Sequence, residues 1–232
     1  MESGRLATLL TDLDDDRRTG SDVGARLCDA CVEIIDVSGA GIMLIADGDQ
    51  RGSLGASNLA IGTVEELQFT TGEGPCVDAC ASREPVHEPN LADPDLDRWP
   101  AFAGPAVEAG VCAVFGFPLQ SGSACLGALD LYLDQPGHLE PAQVSDAVIM
   151  AEVISYTVLG LQADAPPGLL AGQLETMLDH RAVVHQASGM LSAQLDIGVR
   201  EALVRVRAHS YTESRLVNDV ARDIVQRRLR LL

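Results

Sequence analysis

Lysine is missing from this chain. All 16 basic residues are arginine, so any cationic surface has to be built from guanidinium groups. Aromatic residues make up only 3% of the 232 positions, with a single tryptophan, so stacking platforms are scarce. No apolar run reaches the length that a membrane-crossing helix needs. The first residues, Met1-Glu2-Ser3-Gly4-Arg5, lack the basic start and apolar core of a secretory signal. These absences lead to the expectation of a cytoplasmic protein without a membrane contact. No Ser/His/Asp set, phosphate-cradling loop or carboxylate pair stands out.

What is present is an ordinary globular balance, 47% hydrophobic and 22% charged, at a length suited to one or two domains. Charge is spread very unevenly over it. The net value is −18, yet residues 181–232 hold nine arginines against five acids, and the remaining 180 residues hold seven against 29. An acidic body repels nucleic acid, whereas a mildly basic end attracts it. The plainer alternative is an acidic protein whose helical end happens to collect arginine.

The basic end has helical periodicity. Leu170, Leu174, Met177, Val184, Leu191 and Leu195 recur at steps of three and four, with Arg181 and Ser188 filling the stripe. A second helix carries Val199, Ala202, Leu203 and Val206 on one side, after a break at Ile197-Gly198. A third carries Leu216, Val217, Val220, Ala221, Ile224 and Val225, with Thr212 as its expected cap. The stripe starts before a three-helix core would need it. Leu170, Leu174 and Met177 are therefore expected to pair across a parallel homodimer.

Ahead of this end, a weak helix over 1–13 and a polar break precede a helix ending near Asp36, with Leu27, Ala30, Cys31, Ile34 and Ile35 on its apolar side. Residues 40–46 read as a buried strand, 51–57 as a returning strand and 59–67 as a helix. A loop over 70–75 opens into Cys76-Val-Asp-Ala-Cys80, Val86-His87 is a short strand, and 102–109 is a short helix. Residues 111–119 and 125–133 alternate as a hairpin pair, and 140–161 form a long helix begun by Pro141. Ala163-Asp-Ala-Pro-Pro-Gly168 ends that helix and marks a linker.

The order of helices around an antiparallel sheet is an α+β arrangement. It resembles the GAF family of small-molecule sensor domains, and Gly72-Glu-Gly-Pro-Cys76-Val-Asp-Ala79 looks like the GAF domains that precede ANTAR modules in actinobacteria. The three C-terminal helices resemble the ANTAR family through Gln186, Ala187, Gly189, Met190 and Leu191, then Ala202, Leu203, Arg207 and Ala208, then Leu216, Val220, Ala221, Ile224 and Val225. Ser188 departs from the family, which commonly has lysine there on what would be an RNA-facing surface. The expected organisation is an extension over 1–19, a GAF-like sensor over 20–162, a linker over 163–168, and an all-α three-helix ANTAR-like module over 169–232. The resemblance implies a non-enzymatic regulator of transcription termination. Its sensor would respond to a small molecule or redox state, and its helical module would bind paired hexaloop stem-loops in a nascent transcript. The alternatives are a GAF-domain enzyme such as a free methionine sulfoxide reductase with a helical dimerisation tail, or a tail that binds protein in place of RNA.

Candidate residues follow from both readings. Arg200 and Arg207 lie seven apart at the edge of an apolar face, with Arg181 and Arg215 as outer contacts for RNA. Arg215 and Arg222 share Asp219 at helical contact spacing, so that face is also readable as self-neutralised. Arg227, Arg228 and Arg230 suit the negative end of a helix dipole. Tyr211 or His209 would supply base stacking. For ligand or redox sensing the candidates are Cys76, Cys80, Cys112 and Tyr132, with Cys76 at the start of a helix that would favour its thiolate. The six cysteines are expected to be reduced. Cys28 and Cys31 have neither a second cysteine pair nor a histidine nearby, so they read as small core residues and no metal site is expected. No cofactor is identified.

Overall fold

The computed structural model describes residues 23–46, 49–93, 97–163, 182–213 and 215–231. The expected helix over 1–13, Arg181, linker residues 164–168 and the stripe residues Leu170, Leu174 and Met177 lie outside them, while Ala163, expected in the linker, ends the long helix. The elements run α1 (Val23–Ile35), β1 (Gly39–Ala46), β2 (Asp49–Ala56), α2 (Leu59–Thr71), α3 (Pro75–Ser82), β3 (Val86–Glu88), α4 (Ala103–Glu108), β4 (Ala113–Ser121), β5 (Ala124–Leu133), α5 (Pro141–Ala163), α6 (Ala182–Leu195), α7 (Val199–Thr212) and α8 (Val217–Val225).

The five strands form one sheet in the order β2-β1-β5-β4-β3, with every neighbouring pair antiparallel. The alternation expected for β4 and β5 is real, but it does not separate core from solvent, because helices cover both faces of the sheet. Phe115, Phe117, Leu119, Leu129 and Leu131 point to the side of α1 and α5. Val114 and Tyr132 point to the side of α2 and α4, and Met43 and Ala128 meet Cys76 of α3. On the first side, α1 lies with its backbone against β2. A Cβ on Gly24 would fall 1.8 Å from the Leu54 carbonyl oxygen, so only glycine permits this approach.

The 23-residue α5 is long and apolar enough to cross a membrane by length and composition, contrary to the expectation that no run reaches that size. Ala147, Met150, Ile154 and Leu161 of α5 belong to the sheet core. Local chemistry sets the ends of α2. Asn58 caps its start by accepting from the Ile61 amide at 3.1 Å, and Gly72 ends it in the left-handed region at φ 74°. Pro75 then begins α3 at a position where no amide donor is required.

The C-terminal helices pack through Val184, Ala187, Leu191, Ala202, Leu203, Val206, Val217, Val220, Ala221 and Ile224. Three sequence expectations change here. Val199 and Leu216 are exposed, because they sit at the first position of α7 and just before α8, where the chain turns away from the bundle. Thr212 closes α7, donating to the Ala208 carbonyl at 2.8 Å, and does not cap α8. Ser188 is buried and donates to the Val184 carbonyl at 2.8 Å, so that position belongs to the core and not to an RNA-facing surface.

Candidate sensing cluster and nucleic-acid interface

Between α2, α3 and the sheet lies a group of buried polar side chains. Gln68 is its centre. Its Nε2 donates to Asp130 Oδ2 at 2.7 Å, and its Oε1 accepts from the Cys76 amide at 2.8 Å. Gln68 thus ties α2 to the first turn of α3 and to the middle of β5. Asp130 is 1% exposed, and burial pushes its carboxyl from an ordinary 3.8 up to about 7, against hydrogen bonds from Gln68 and the Cys76 thiol. Glu65 is buried beside it, with Oε1 in the space that a Cβ on Gly41 would occupy. Gly41 is the register partner of Asp130. Two acids, an amide and a thiol therefore converge in a buried region, where polar contacts are strong and their loss is costly.

The cysteines do not assemble as expected. Cys76 is buried in α3, but Cys80 one turn later is bonded to Cys125 of β5, with their Cα atoms 5.8 Å apart. This bond also departs from the expectation that all six thiols are reduced. Cys112 sits away from them. It precedes β4 next to the Ala113–Leu133 pair, whereas Cys125 pairs with Gln120 at the other end of the same hairpin. Tyr132 is buried on the α2 side, donating to Asn58 Oδ1 at 3.3 Å, which makes it a brace for the α2 cap. Cys28 and Cys31 pack in the sheet core, where burial raises the Cys31 thiol far above its usual range.

Reading β5 as a strand covered on both faces would have exposed Asp130, since an acid then has nowhere polar to point. Nothing in the spacing of Cys80 and Cys125, 45 residues apart, announces their pairing.

The arginines differ in their surroundings. Arg200 is exposed on α7, in helical step with Val204 and Tyr211, which are 61% and 62% exposed. Arg215 lies before α8 and pairs with Asp223 at 2.6 Å, while Arg222 pairs with Asp219 at 2.7 Å. The self-neutralised reading is therefore correct in kind, with Asp223 replacing Asp219 as the partner of Arg215. That hydrogen bond lowers the Asp223 carboxyl and holds Arg215 further toward its charged form.

Arg207 turns to the sensor instead. Its guanidinium lies 5.4 Å from the Phe69 ring centroid and rests against Gly72, where a Cβ would come within 3.0 Å of Nη1. Phe69 is fully buried, and although it belongs to α2 it is part of the helical module's core beside Val184, Leu191 and Val206. Asn218 of α8 donates to Glu66 of α2 at 3.0 Å. Beside this contact a cleft of about 680 Å³ is lined by Leu59, Gly62, Thr63, Glu66 and Leu67 of α2 and by Leu216.

Residues 18–157 match the GAF domain family, and residues 172–225 match the ANTAR domain family. Two solved structures share the fold of the larger part. The GAF domain of the Acinetobacter phosphoenolpyruvate-protein phosphotransferase is 18% identical with a TM-score of 0.53, over 72% of this chain and 99% of that one. The GAF domain of the Coxiella burnetii phosphoenolpyruvate-protein phosphotransferase is 14% identical with a TM-score of 0.52, over 70% of this chain and 98% of that one. No curated protein matches the chain. The chain belongs to the GAF family, and an ANTAR domain follows its GAF domain.

Proposed function

We propose that this protein is a cytoplasmic, non-enzymatic regulator that binds structured RNA in nascent transcripts and alters transcription termination in response to a signal sensed by its GAF domain. A GAF domain followed by an ANTAR domain is a regulator's arrangement, with a sensing part joined to an output part. The observation that carries the reading is the exposed strip of α7, in which Arg200, Val204 and Tyr211 lie side by side with Arg207 at its edge. Guanidinium groups contact phosphate and stack on unpaired bases, and an exposed tyrosine adds a second stacking plane. Arg207 joins this surface only when it leaves Phe69. Arg181 and Arg215 are outer contacts, and Arg215 has to exchange Asp223 for phosphate. The sensing cluster comprises Glu65, Gln68, Cys76 and Asp130, with the Cys80–Cys125 bond one turn along α3, while Tyr132 supports α2 through Asn58. Cys112 contributes to sensing only from a separate place. The active form is a homodimer, supported by exposed Val148, Tyr156 and Leu159 along α5. A monomer by light scattering at micromolar concentration would exclude that form.

A gel shift of the full chain on a transcript with paired hexaloop stem-loops tests the RNA reading. Binding should weaken steeply with salt. Arg200→Ala should weaken it roughly tenfold and flatten the salt slope. Tyr211→Ala should weaken it with the slope unchanged. Arg207→Ala should weaken binding and flatten the slope while circular dichroism stays unaltered. No salt-sensitive binding by the parent, or unchanged binding by folded Arg200→Ala and Arg207→Ala, would remove the assignment.

A further inference from the structure

Cys80 and Cys125 differ from the core cysteines in placement, and from Cys112 in having a partner. Both are half-buried, as Cys112 is, whereas Cys28, Cys31 and Cys76 are fully buried. Solvent access and thiolate character decide which thiols react, so this pair is open to small reagents while the core thiols are shielded. The 5.8 Å between their Cα atoms lies in the range that lets a bridge form and break without moving the backbone. A protein that acts on nascent transcripts works where thiols are kept reduced, and there a disulfide is conditional. This step rests on the function proposed above.

The bridge also occupies a position of leverage. Cys80 lies in the last turn of the eight-residue α3, and the bridge pins that end to β5. The other end of α3 is held by Gln68, which accepts from the Cys76 amide. A Cβ on Gly74 would fall 2.5 Å from Gln68 Oε1, so the joint over residues 72–74 is closely seated there. Gly72 of that joint touches Arg207, and Phe69, next to Gln68 in sequence, lies under the same guanidinium. The short helix is thus a strut between the disulfide and the place where sensor grips output.

We propose that Cys80 and Cys125 form a reversible thiol–disulfide pair, oxidised by peroxide, whose state sets the grip of the α2–α3 joint on Arg207. One thiolate attacks a peroxide oxygen. The O–O bond breaks, a sulfenic acid forms, and the departing hydroxide or alkoxide takes up a proton. The second thiolate then attacks the sulfenyl sulfur, the Sγ–Sγ bond forms, and the displaced hydroxide leaves as water after taking up a proton. Two thiols lose two electrons and two protons, and the peroxide is reduced to two waters or to an alcohol and water. A dithiol reverses the reaction by exchange and becomes a disulfide itself. Oxidised, α3 is held at both ends and Arg207 stays on Phe69. Reduced, α3 keeps only its Gln68 end, the joint loosens, and Arg207 becomes available to the α7 strip.

The test uses the full chain, reduced and then treated with equimolar hydrogen peroxide, with remaining thiols alkylated and peptides mapped by mass spectrometry. A Cys80–Cys125 cross-linked peptide should appear with loss of two alkylatable thiols, and dithiothreitol should restore both. Amide hydrogen exchange is then compared between the two states. Residues 66–73 and 199–213 should exchange at least threefold faster in the reduced chain. The double variant Cys80→Ser/Cys125→Ser should exchange like the reduced chain whatever the peroxide. Oxidation that settles on Cys112 instead, or identical exchange in both states of the parent, overturns the proposal. Neither readout uses RNA, so a chain that binds no transcript but shows the redox-dependent exchange would sink the proposed function and leave the thiol pair standing.

Discussion

The two faces of the sheet carry different chemistry. Against α1 and α5 the sheet presents Phe115, Phe117, Leu119, Leu129 and Leu131, an apolar layer that joins Leu27, Cys31 and Met150. Against α2 and α3 it presents Asp130 among Met43, Val114, Ala128 and Tyr132, and α2 answers with Glu65 and Gln68. Apolar packing is non-directional and tolerates small rearrangement, which suits a scaffold. A buried hydrogen-bond network has few satisfactory geometries, so a change at one member is felt by the others. The polar face is also the one that touches the output module, through Phe69 and Glu66 of α2. In this molecule the less tolerant face is the one joined to the part that would act.

Variants can sharpen this contrast. The largest effect is expected on the apolar face. Phe117→Ala should cost about 3–5 kcal/mol in urea unfolding, with little dependence on pH. A loss under 1 kcal/mol would mean that this face repacks far more easily than its burial implies. Asp130→Asn should act through pH. The folded carboxyl holds its proton more tightly than the unfolded one, so protonation aids folding in acid, and that aid is lost as pH rises from about 4 through about 7. A shift from 3.8 to about 7 corresponds to roughly 4 kcal/mol at most. The variant should show a flatter stability profile between pH 4 and 7 and gain stability at pH 8. A parent profile already flat over that window would refute the assigned shift.

Phe69→Ala removes a fully buried ring that α2 contributes to the helical module's core, and roughly 3 kcal/mol should be lost. The loss should fall on coupling between sensor and module, so calorimetry should resolve two transitions where the parent shows one. One transition shifted as a whole would place the ring in a single cooperative core. The smallest effect is expected from Arg222→Ala. It breaks only an exposed pair with Asp219, and stability should change by less than about 0.5 kcal/mol. A larger loss would show that the surface arginines brace the module.

Much of the fold was legible in the chain. Periodicities of two and 3.6 arise from local backbone geometry, so the strands near Ile42, Phe115 and Leu131 and the helices through Leu27, Met150 and Leu203 could be located from spacing. The ends of elements were less legible. Val199 and Leu216 fit their helical stripes, but whether the first position of a helix is covered depends on its neighbours. The site was least legible. Alternation along 125–133 sets Asp130 opposite Leu129 and Leu131, and one-dimensional alternation does not tell whether one face of a strand is covered or both.

The amino-acid order alone determined the acidic body and basic end, the mixed helix-and-strand pattern of the first part against the all-helical pattern of the second, and the glycine and proline punctuation at Gly72-Glu73-Gly74-Pro75. These depend on local sterics and composition, which neighbours in sequence settle. Only the tertiary structure decided that Arg207 rests on Phe69, that Cys80 meets Cys125, and that Gln68 holds Asp130 and Cys76 together. Each of these contacts joins residues far apart in the chain except for Gln68 with Cys76, and even that one spans a turn. Such pairings follow from how whole layers stack, because a side chain's partner is chosen by the surface it is packed against and not by the residues that precede it.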